Sequence, residues 1–249
     1  MDLNADMGEG FGAWRMGDDE ALFAVVTSAN VACGFHAGDP SIMRRTCELA
    51  VAHGVSVGAH VSYRDLAGFG RRDIEMTENE LADEVLYQLG ALEACCRAAG
   101  TRLRYVKPHG ALYNRAFTDD GHAAAVVAAV RAFDRSLVLL GAPGSRLLAL
   151  AEDVGLAACG EAFVDRAYRT SGQLVARSQA GAVHHEVARA VGQAVRLATT
   201  GTVVTPDGDV VAVRARSLCV HGDTPGAVAM AQAVRQSLED AGITVAAFA

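Results

Sequence analysis

Histidines recur at the ends of predicted strands, where the side chains of an enzyme would meet a substrate. Four of the eight histidines lie there: His36, His60, His109 and His221. Three of the four are followed by glycine within two residues, which is typical of backbone that approaches a ligand closely. Imidazole can act as a general acid or base, or as a metal ligand. The pattern therefore predicts one catalytic or ligand-binding site that these residues form together.

The first predicted strand carries a row of polar side chains. Asp2, Asn4 and Asp6 alternate with apolar residues, so a period of two places them on one face. A polar row inside a barrel is costly unless it is paired or used. Asp6 is nearest the end of the strand and is a candidate general base, which Asn4 would orient. The alternative for Asp6 is a carboxylate that caps the glycine-rich loop after it.

Cationic side chains follow other predicted strands. Lys107 ends the fourth strand on the same face as His109 and could stabilise negative charge that develops on a substrate. Arg71 and Arg72 lie on a loop with glycine before them, and two guanidinium groups suit a carboxylate or a phosphate. A solvated arginine pair is the alternative. Glu161 and Asp165 bracket the end of the sixth strand with Arg166 beside them, and a salt-bridged rim or a functional role is equally open there.

A helix that ends in glycine and turns directly into a β-branched run occurs four times along the chain. This pattern predicts β/α units and a parallel sheet. We expect a single β/α-barrel domain of about seven units over residues 1–249, with an open doubly wound sheet as the alternative. The predicted strands are 2–6, 28–33, 55–60, 103–107, 137–141, 157–163 and 217–221. The predicted helices are 18–26, 39–53, 78–99, 120–133, 145–154, 185–199 and 226–241, and residues 202–213 form a predicted hairpin.

The composition excludes several classes of protein. The chain has 249 residues, a formal net charge of −7, 51% hydrophobic and only 6% aromatic residues. Such an apolar chain is not disordered, and without a basic stripe it predicts no nucleic-acid partner. No signal peptide or membrane span is recognisable, so we expect a cytoplasmic protein whose six cysteines stay reduced. We expect His122 and His184 on the surface. No phosphate-binding P-loop is present, so the chain has no recognisable nucleotide site of its own.

Five longer strings carry a family resemblance. They are residues 2–9, 28–40, 68–72, 106–114 and 219–226, which read DLNADMGE, SANVACGFHAGDP, GFGRR, VKPHGALYN and CVHGDTPG. With these strings the chain resembles the LamB/YcsF family from its first residue to its last helix. The resemblance implies a seven-unit barrel similar to the glycoside hydrolase/deacetylase group. It also implies the ATP-dependent opening of 5-oxo-L-proline (pyroglutamate) to L-glutamate. In that reaction 5-oxoprolinase B and C subunits would use ATP to activate the lactam, and the A subunit would open the ring.

For that reaction we expect Asp6 to act as general base, aided by His60 or His109, with Lys107 stabilising the developing charge. Asn4, His36, Arg71, Arg72 and His221 are the expected substrate-binding residues. Two alternatives stay open at this point. The first is a metal-dependent deacetylase or amidase, in which Asp6, His36 and His60 resemble an Asp-His-His metal set. The second is a non-catalytic subunit that binds the lactam and passes it to partners.

Overall fold

The computed structural model describes residues 1–220 and 226–249. Within them, parallel strands close into a barrel in the order β1-β2-β3-β4-β5-β6-β9. These strands are β1 (Asp2–Met7), β2 (Ser28–Ala32), β3 (Ser56–Val61), β4 (Tyr105–Pro108), β5 (Val138–Gly141), β6 (Ala157–Phe163) and β9 (Ser217–Val220). The predicted hairpin is present as antiparallel β7 (Thr202–Val204) and β8 (Val210–Ala212). The seven-unit α/β barrel is thus confirmed. That residues 1–249 form a single domain stays a prediction.

Helices connect successive strands and cover the outside of the barrel. They are α1 (Asp19–Phe23), α2 (Pro40–His53), α3 (Glu78–Ala99), α4 (Gly110–Arg115), α5 (Asp120–Phe133), α6 (Arg146–Asp153), α7 (Val187–Thr200) and α8 (Ala227–Asp240). Local sequence explains their ends. Asp39 caps α2 ahead of Pro40, Thr77 and Glu80 form a capping box on α3, and Gly54 ends α2 with a left-handed φ of 67°. No helix in the described ranges has the length and apolarity needed to cross a membrane.

Several sequence expectations need correction. The short helix α4 was not expected, and α1 is only five residues long. His122 and His184 are buried at 6% and 4% exposure rather than lying on the surface. His122 packs its ring edge-on against Tyr63 and its Nδ1 lies 3.2 Å from Asp119. The predicted end of the last strand, with His221, lies outside the described residues.

Two hydrogen-bonded layers fill the part of the barrel interior that lies near the amino ends of the strands. In the lowest, the Asp2 carboxylate accepts hydrogen bonds from Thr27 at 2.6 Å, Ser28 at 2.7 Å and also Ser217. Burial raises the pKa of Asp2, and these hydroxyl donors offset part of that rise.

In the layer above, Asn4 donates to the Ser217 hydroxyl at 2.6 Å and accepts from Asn30 at 2.7 Å. The Tyr105 hydroxyl donates to Asn30 at 2.7 Å. The polar face predicted for β1 is therefore buried with its hydrogen bonds made, which offsets the cost of placing it inside the barrel.

Gly58 on β3 makes room for the Tyr105 ring, because a Cβ at that position would overlap the ring atoms. The Tyr105 hydroxyl bond to Asn30 holds the ring in place. We therefore expect Gly58→Ala to lower the free energy of unfolding by about 1–3 kcal/mol through overpacking. The matched control is Gly90→Ala in the middle of α3, where a Cβ meets nothing within 4 Å. That change should raise stability by about 0.5–1 kcal/mol. Urea unfolding of both variants measures the difference, and equal effects would contradict this account of Gly58.

Candidate active site

A cavity of about 410 Å³ opens where several barrel strands end. Five of the residues to which the sequence assigned a catalytic or substrate-binding role line it: Asp6, His60, Arg71, Lys107 and His109. They come from the ends of β1, β3 and β4 and from the loops that follow β3 and β4. Parallel barrels place their chemistry at the carboxyl ends of the strands. The strand-end pattern of the sequence therefore corresponds to one shared cavity.

Asp6 and Lys107 form the centre of the cavity floor. The Lys107 ammonium donates to Asp6 Oδ1 at 3.2 Å and lies 3.0 Å from Glu161 Oε2. Asn30 also donates to Asp6 Oδ1, at 2.8 Å. Asp6 is partly open to the cavity, with a side-chain exposure of 12%, whereas Lys107 is only 2% exposed. Asp6 is thus held in a fixed orientation and can still reach a ligand.

The charge of Lys107 is determined by its carboxylate partners. Burial on its own would lower the pKa of this ammonium, but the charges of Asp6 and Glu161 raise it well above its usual value. Lys107 therefore carries its proton throughout the physiological pH range. It is suited to stabilising negative charge and unsuited to acting as a base.

Three imidazoles are packed beside Asp6. The His36 and His109 rings stack with their centroids 3.8 Å apart, and His60 meets both rings edge-on. His60 Nε2 lies 3.2 Å from Asp6 Oδ1. Glu9 lies 3.1 Å from His36 Nε2 and 3.6 Å from His109 Nδ1. Burial, followed by the neighbouring imidazoles, lowers the pKa of His109 well below its usual value. Burial and His60 do the same to the pKa of His36, so these two rings are neutral at pH 7.

Backbone carbonyls assign the tautomers of two of these rings. His60 Nδ1 lies 3.1 Å from the Lys107 carbonyl and His109 Nε2 lies 2.9 Å from the Phe69 carbonyl. A carbonyl can only accept, so both of these nitrogens carry protons. The remaining nitrogens, His60 Nε2 and His109 Nδ1, then face each other at 2.9 Å. If each ring carries only that one proton, both facing nitrogens are lone-pair acceptors, and the contact then requires a further proton or a cation between them.

The same group of residues fits a divalent metal. Ligand atoms of Glu9, His36, His60 and His109 all lie within 4.8 Å of one another. Imidazole nitrogen and carboxylate oxygen are the usual ligands of zinc and similar transition metals. The carbonyls behind His60 and His109 are the outer partners that orient such ligands. This set shares His36 and His60 with the set expected from the sequence, and has Glu9 and His109 where the expectation had Asp6.

The other sequence-predicted residues lie at different depths. Asn4 is fully buried beneath Asp6, and His36 is fully buried in the imidazole group. Neither is among the residues that line the cavity. Arg71 lines it, with its guanidinium over the Phe69 ring at 5.1 Å. Arg72 instead pairs with Asp65, and its side chain is 66% exposed. His221 lies outside the described residues.

Sequence reasoning missed two residues that hold the site together, Glu9 and Asn30, and left the role of a third, Glu161, open. Glu9 reaches the imidazoles from the loop after β1. Asn30 links Asn4 to Asp6, and Glu161 forms the second ion pair of Lys107. A signal existed for Asn30, because Ser28 and Asn30 alternate with apolar residues in β2 just as the polar residues of β1 do. Nothing in the spacing of Glu9 or Glu161 distinguishes them from ordinary loop and rim carboxylates.

Comparison with known proteins agrees with the fold and shows the family. The chain matches the LamB/YcsF family over residues 1–249. It is 61% identical to a Kocuria rhizophila protein named as the A subunit of 5-oxoprolinase, over 100% of this chain and 99% of the relative. It is 47% identical to a solved structure, the "Lactam Utilization Protein" of Thermus thermophilus, with a TM-score of 0.94 and 99% of each chain covered. A polysaccharide deacetylase of Bacillus cereus shares only the fold, with 11% identity, a TM-score of 0.52 and 99% and 91% coverage of the two chains. The chain is therefore a member of the LamB/YcsF family.

Proposed function

We propose that this chain is the A subunit of a cytoplasmic, ATP-dependent 5-oxoprolinase and that it opens the lactam ring. The observation that carries the proposal is the Asp6–Lys107–His60 arrangement on the cavity floor. It combines a fixed carboxylate, a permanent cation and an imidazole, with the cation and the imidazole both in contact with the carboxylate. The names of relatives at 61% and 47% identity, which refer to 5-oxoprolinase and to lactam utilisation, support the same substrate class.

A five-membered lactam is a stable amide with a poor leaving group, so it requires activation before water can open it. We propose that partner B and C subunits use ATP to phosphorylate the lactam oxygen, which releases ADP and makes the ring carbon electrophilic. Asp6 then accepts a proton from water as the water oxygen bonds to that carbon. Lys107 stabilises the negative charge that develops on the oxygen. The ring C–N bond breaks, and the nitrogen takes a proton from the Asp6–His60 pair to become the amino group. A second water then releases phosphate from the acyl phosphate that remains and gives glutamate.

The direct test is glutamate release from 5-oxoproline. The purified chain, the partner subunits and the complete set are each assayed with and without ATP. We expect release only from the complete set with ATP. A complete set that hydrolyses ATP but releases no glutamate would contradict the proposal.

A second candidate function rests on the imidazole group alone. Glu9, His36, His60 and His109 would hold a divalent metal, and the chain would hydrolyse an amide or acetamide without ATP. A metal held by these residues would lower the pKa of a bound water and polarise a carbonyl. The facing nitrogens of His60 and His109, 2.9 Å apart, support this function because a metal ion could bind both of them.

Metal binding has its own prediction. After treatment with a chelator and dialysis against Zn²⁺, we expect the chain to hold about one Zn²⁺ per molecule and to unfold at a higher temperature. His36→Gln should lose the bound zinc and the thermal shift. His53→Gln changes an exposed histidine at the end of α2 and should keep both. Equal zinc content in the two variants would exclude this site, and full ATP-dependent turnover by metal-free protein would exclude the second function.

A further inference from the structure

Arg166 is a buried cation in the wall of the cavity. It lies three residues after the end of β6, is only 6% exposed and lines the cavity. Its Nε donates to the Ala182 carbonyl at 3.2 Å and its Nη2 to the Val175 carbonyl at 2.6 Å. Both acceptors are neutral, so the guanidinium is held in place without being neutralised.

No carboxylate in residues 1–220 or 226–249 forms an ion pair with Arg166. Asp165 attracts it from the neighbouring position, but Arg177 and Arg71 repel it. Burial and then Arg177 lower the pKa of this guanidinium to about 10, which leaves it protonated at neutral pH. A buried cation that has no ion-pair partner among these residues is costly. An anionic group bound in the cavity would remove that cost.

Charges are unevenly distributed around the cavity. The acidic residues that line it within the described part of the chain, Asp6, Glu9 and Glu161, surround Lys107 and the imidazoles on the floor. Its arginines other than Arg71 come from the segment after β6, and they are Arg166, Arg169 and Arg177. An anionic group on a ligand is repelled by the acidic floor and attracted to this wall. A neutral amide is the part of a ligand that can approach Asp6.

We propose that Arg166 binds the carboxylate of the lactam substrate and so selects lactams that carry an acid group over neutral ones. This inference rests on the proposed function for the identity of the substrate. It assigns to Arg166 part of the role that the sequence suggested for Arg71 and Arg72. Arg72 is paired with Asp65 outside the cavity. The Nη1 of Arg166 can donate charge-assisted hydrogen bonds to the carboxylate. A second nitrogen, one that already donates to a backbone carbonyl, can donate to it as well.

The test compares two ligands that differ only in the acid group. Binding of 5-oxoproline and of 2-pyrrolidinone to the full chain is measured by calorimetry, with inorganic phosphate as a third ligand. We expect the wild-type chain to prefer 5-oxoproline by at least about tenfold, as a charge-assisted pair would give. Arg166→Gln should lose this preference while binding 2-pyrrolidinone as before. Arg131→Gln, on the exposed side of α5, is the matched control and should keep the preference.

Three results would overturn the inference. Arg166→Gln could keep the preference, it could weaken both lactams equally as a purely structural residue would, or Arg166 could prove to bind phosphate and not 5-oxoproline. Failure of the proposed function is a separate result. If the Arg166-dependent preference is present but the complete complex releases no glutamate, the carboxylate site stands and the proposed reaction does not.

Discussion

Replacing Asp6 by Asn should reduce glutamate release by the complete enzyme about 10²–10⁴-fold, the range that a general base contributes. Asn keeps the size of the side chain and an oxygen that can accept from Lys107 and Asn30, which both donate to Asp6 Oδ1. It cannot take a proton from water. The fold should therefore survive while the chemical step is lost. Steady-state assays of glutamate release, together with circular dichroism, measure the two effects.

Asp209→Asn is the matched control, because Asp209 is an exposed carboxylate beside the hairpin. It should leave turnover unchanged. The outcome for Asp6→Asn also separates the enzyme from a non-catalytic lactam-binding subunit. In a binding subunit, Asp6→Asn would weaken the binding of 5-oxoproline but leave turnover unchanged at saturating 5-oxoproline. That result would contradict the general-base role of Asp6.

Lys107→Met should lower the free energy of unfolding by about 3–5 kcal/mol, which is the usual effect of breaking a buried ion pair from one side. Met fills much of the space of the lysine stem but leaves the Asp6 and Glu161 carboxylates without their cation. Activity should be lost as well, because nothing then stabilises charge on the substrate oxygen. Urea unfolding at pH 7 and the glutamate assay measure the two losses.

The pH dependence of this variant has a definite sign. In the folded chain burial opposes the charge of Lys107, but Asp6 and Glu161 raise its pKa well above its usual value. A cation with a raised folded-state pKa stabilises the fold fully below its unfolded pKa, and that stability is lost as pH rises through the folded pKa. The difference in stability between wild type and Lys107→Met should therefore be complete at pH 7 and should shrink above about pH 10. The double variant Lys107→Met/Glu161→Gln should regain part of the stability at pH 7 and none of the activity. A deficit independent of pH would point to lost packing instead of lost charge.

The barrel could be predicted from the sequence because its signals are local. Glycine at the end of α2 and of α3 terminates each helix in the left-handed conformation and starts the next connection to a strand. The helix α4 has no comparable signal, since it is short and His109 provides no side-chain cap for it. Burial of His122 also depends on distant packing against Tyr63, which no spacing in the sequence encodes.

The site could be predicted only in part for a similar reason. Strand-end position identified Asp6, His60, Lys107 and His109, because a parallel barrel gathers strand ends into one place. It could not tell Arg71, which lines the cavity, from Arg72, which turns to Asp65. It also could not reveal that Glu9 reaches the imidazoles or that Arg166 is held by neutral carbonyls. Those are properties of side-chain directions and of residues far apart in the chain.

The polar layers inside the barrel have a consequence for how the chain folds. Asp2 on the first strand accepts a hydrogen bond from Ser217 on the last strand, and Asn4 donates one to Ser217. Ser217 lies more than 200 positions further along the chain. Before β9 inserts between β1 and β6, these polar groups lack one hydrogen-bond partner and the first strand has an unpaired edge. Barrel closure is therefore the step that makes the interior stable, and it can occur only after nearly the whole chain has left the ribosome. The proposed catalytic carboxylate lies on that same first strand, so a folding intermediate of this chain would have no assembled active site and no premature activity.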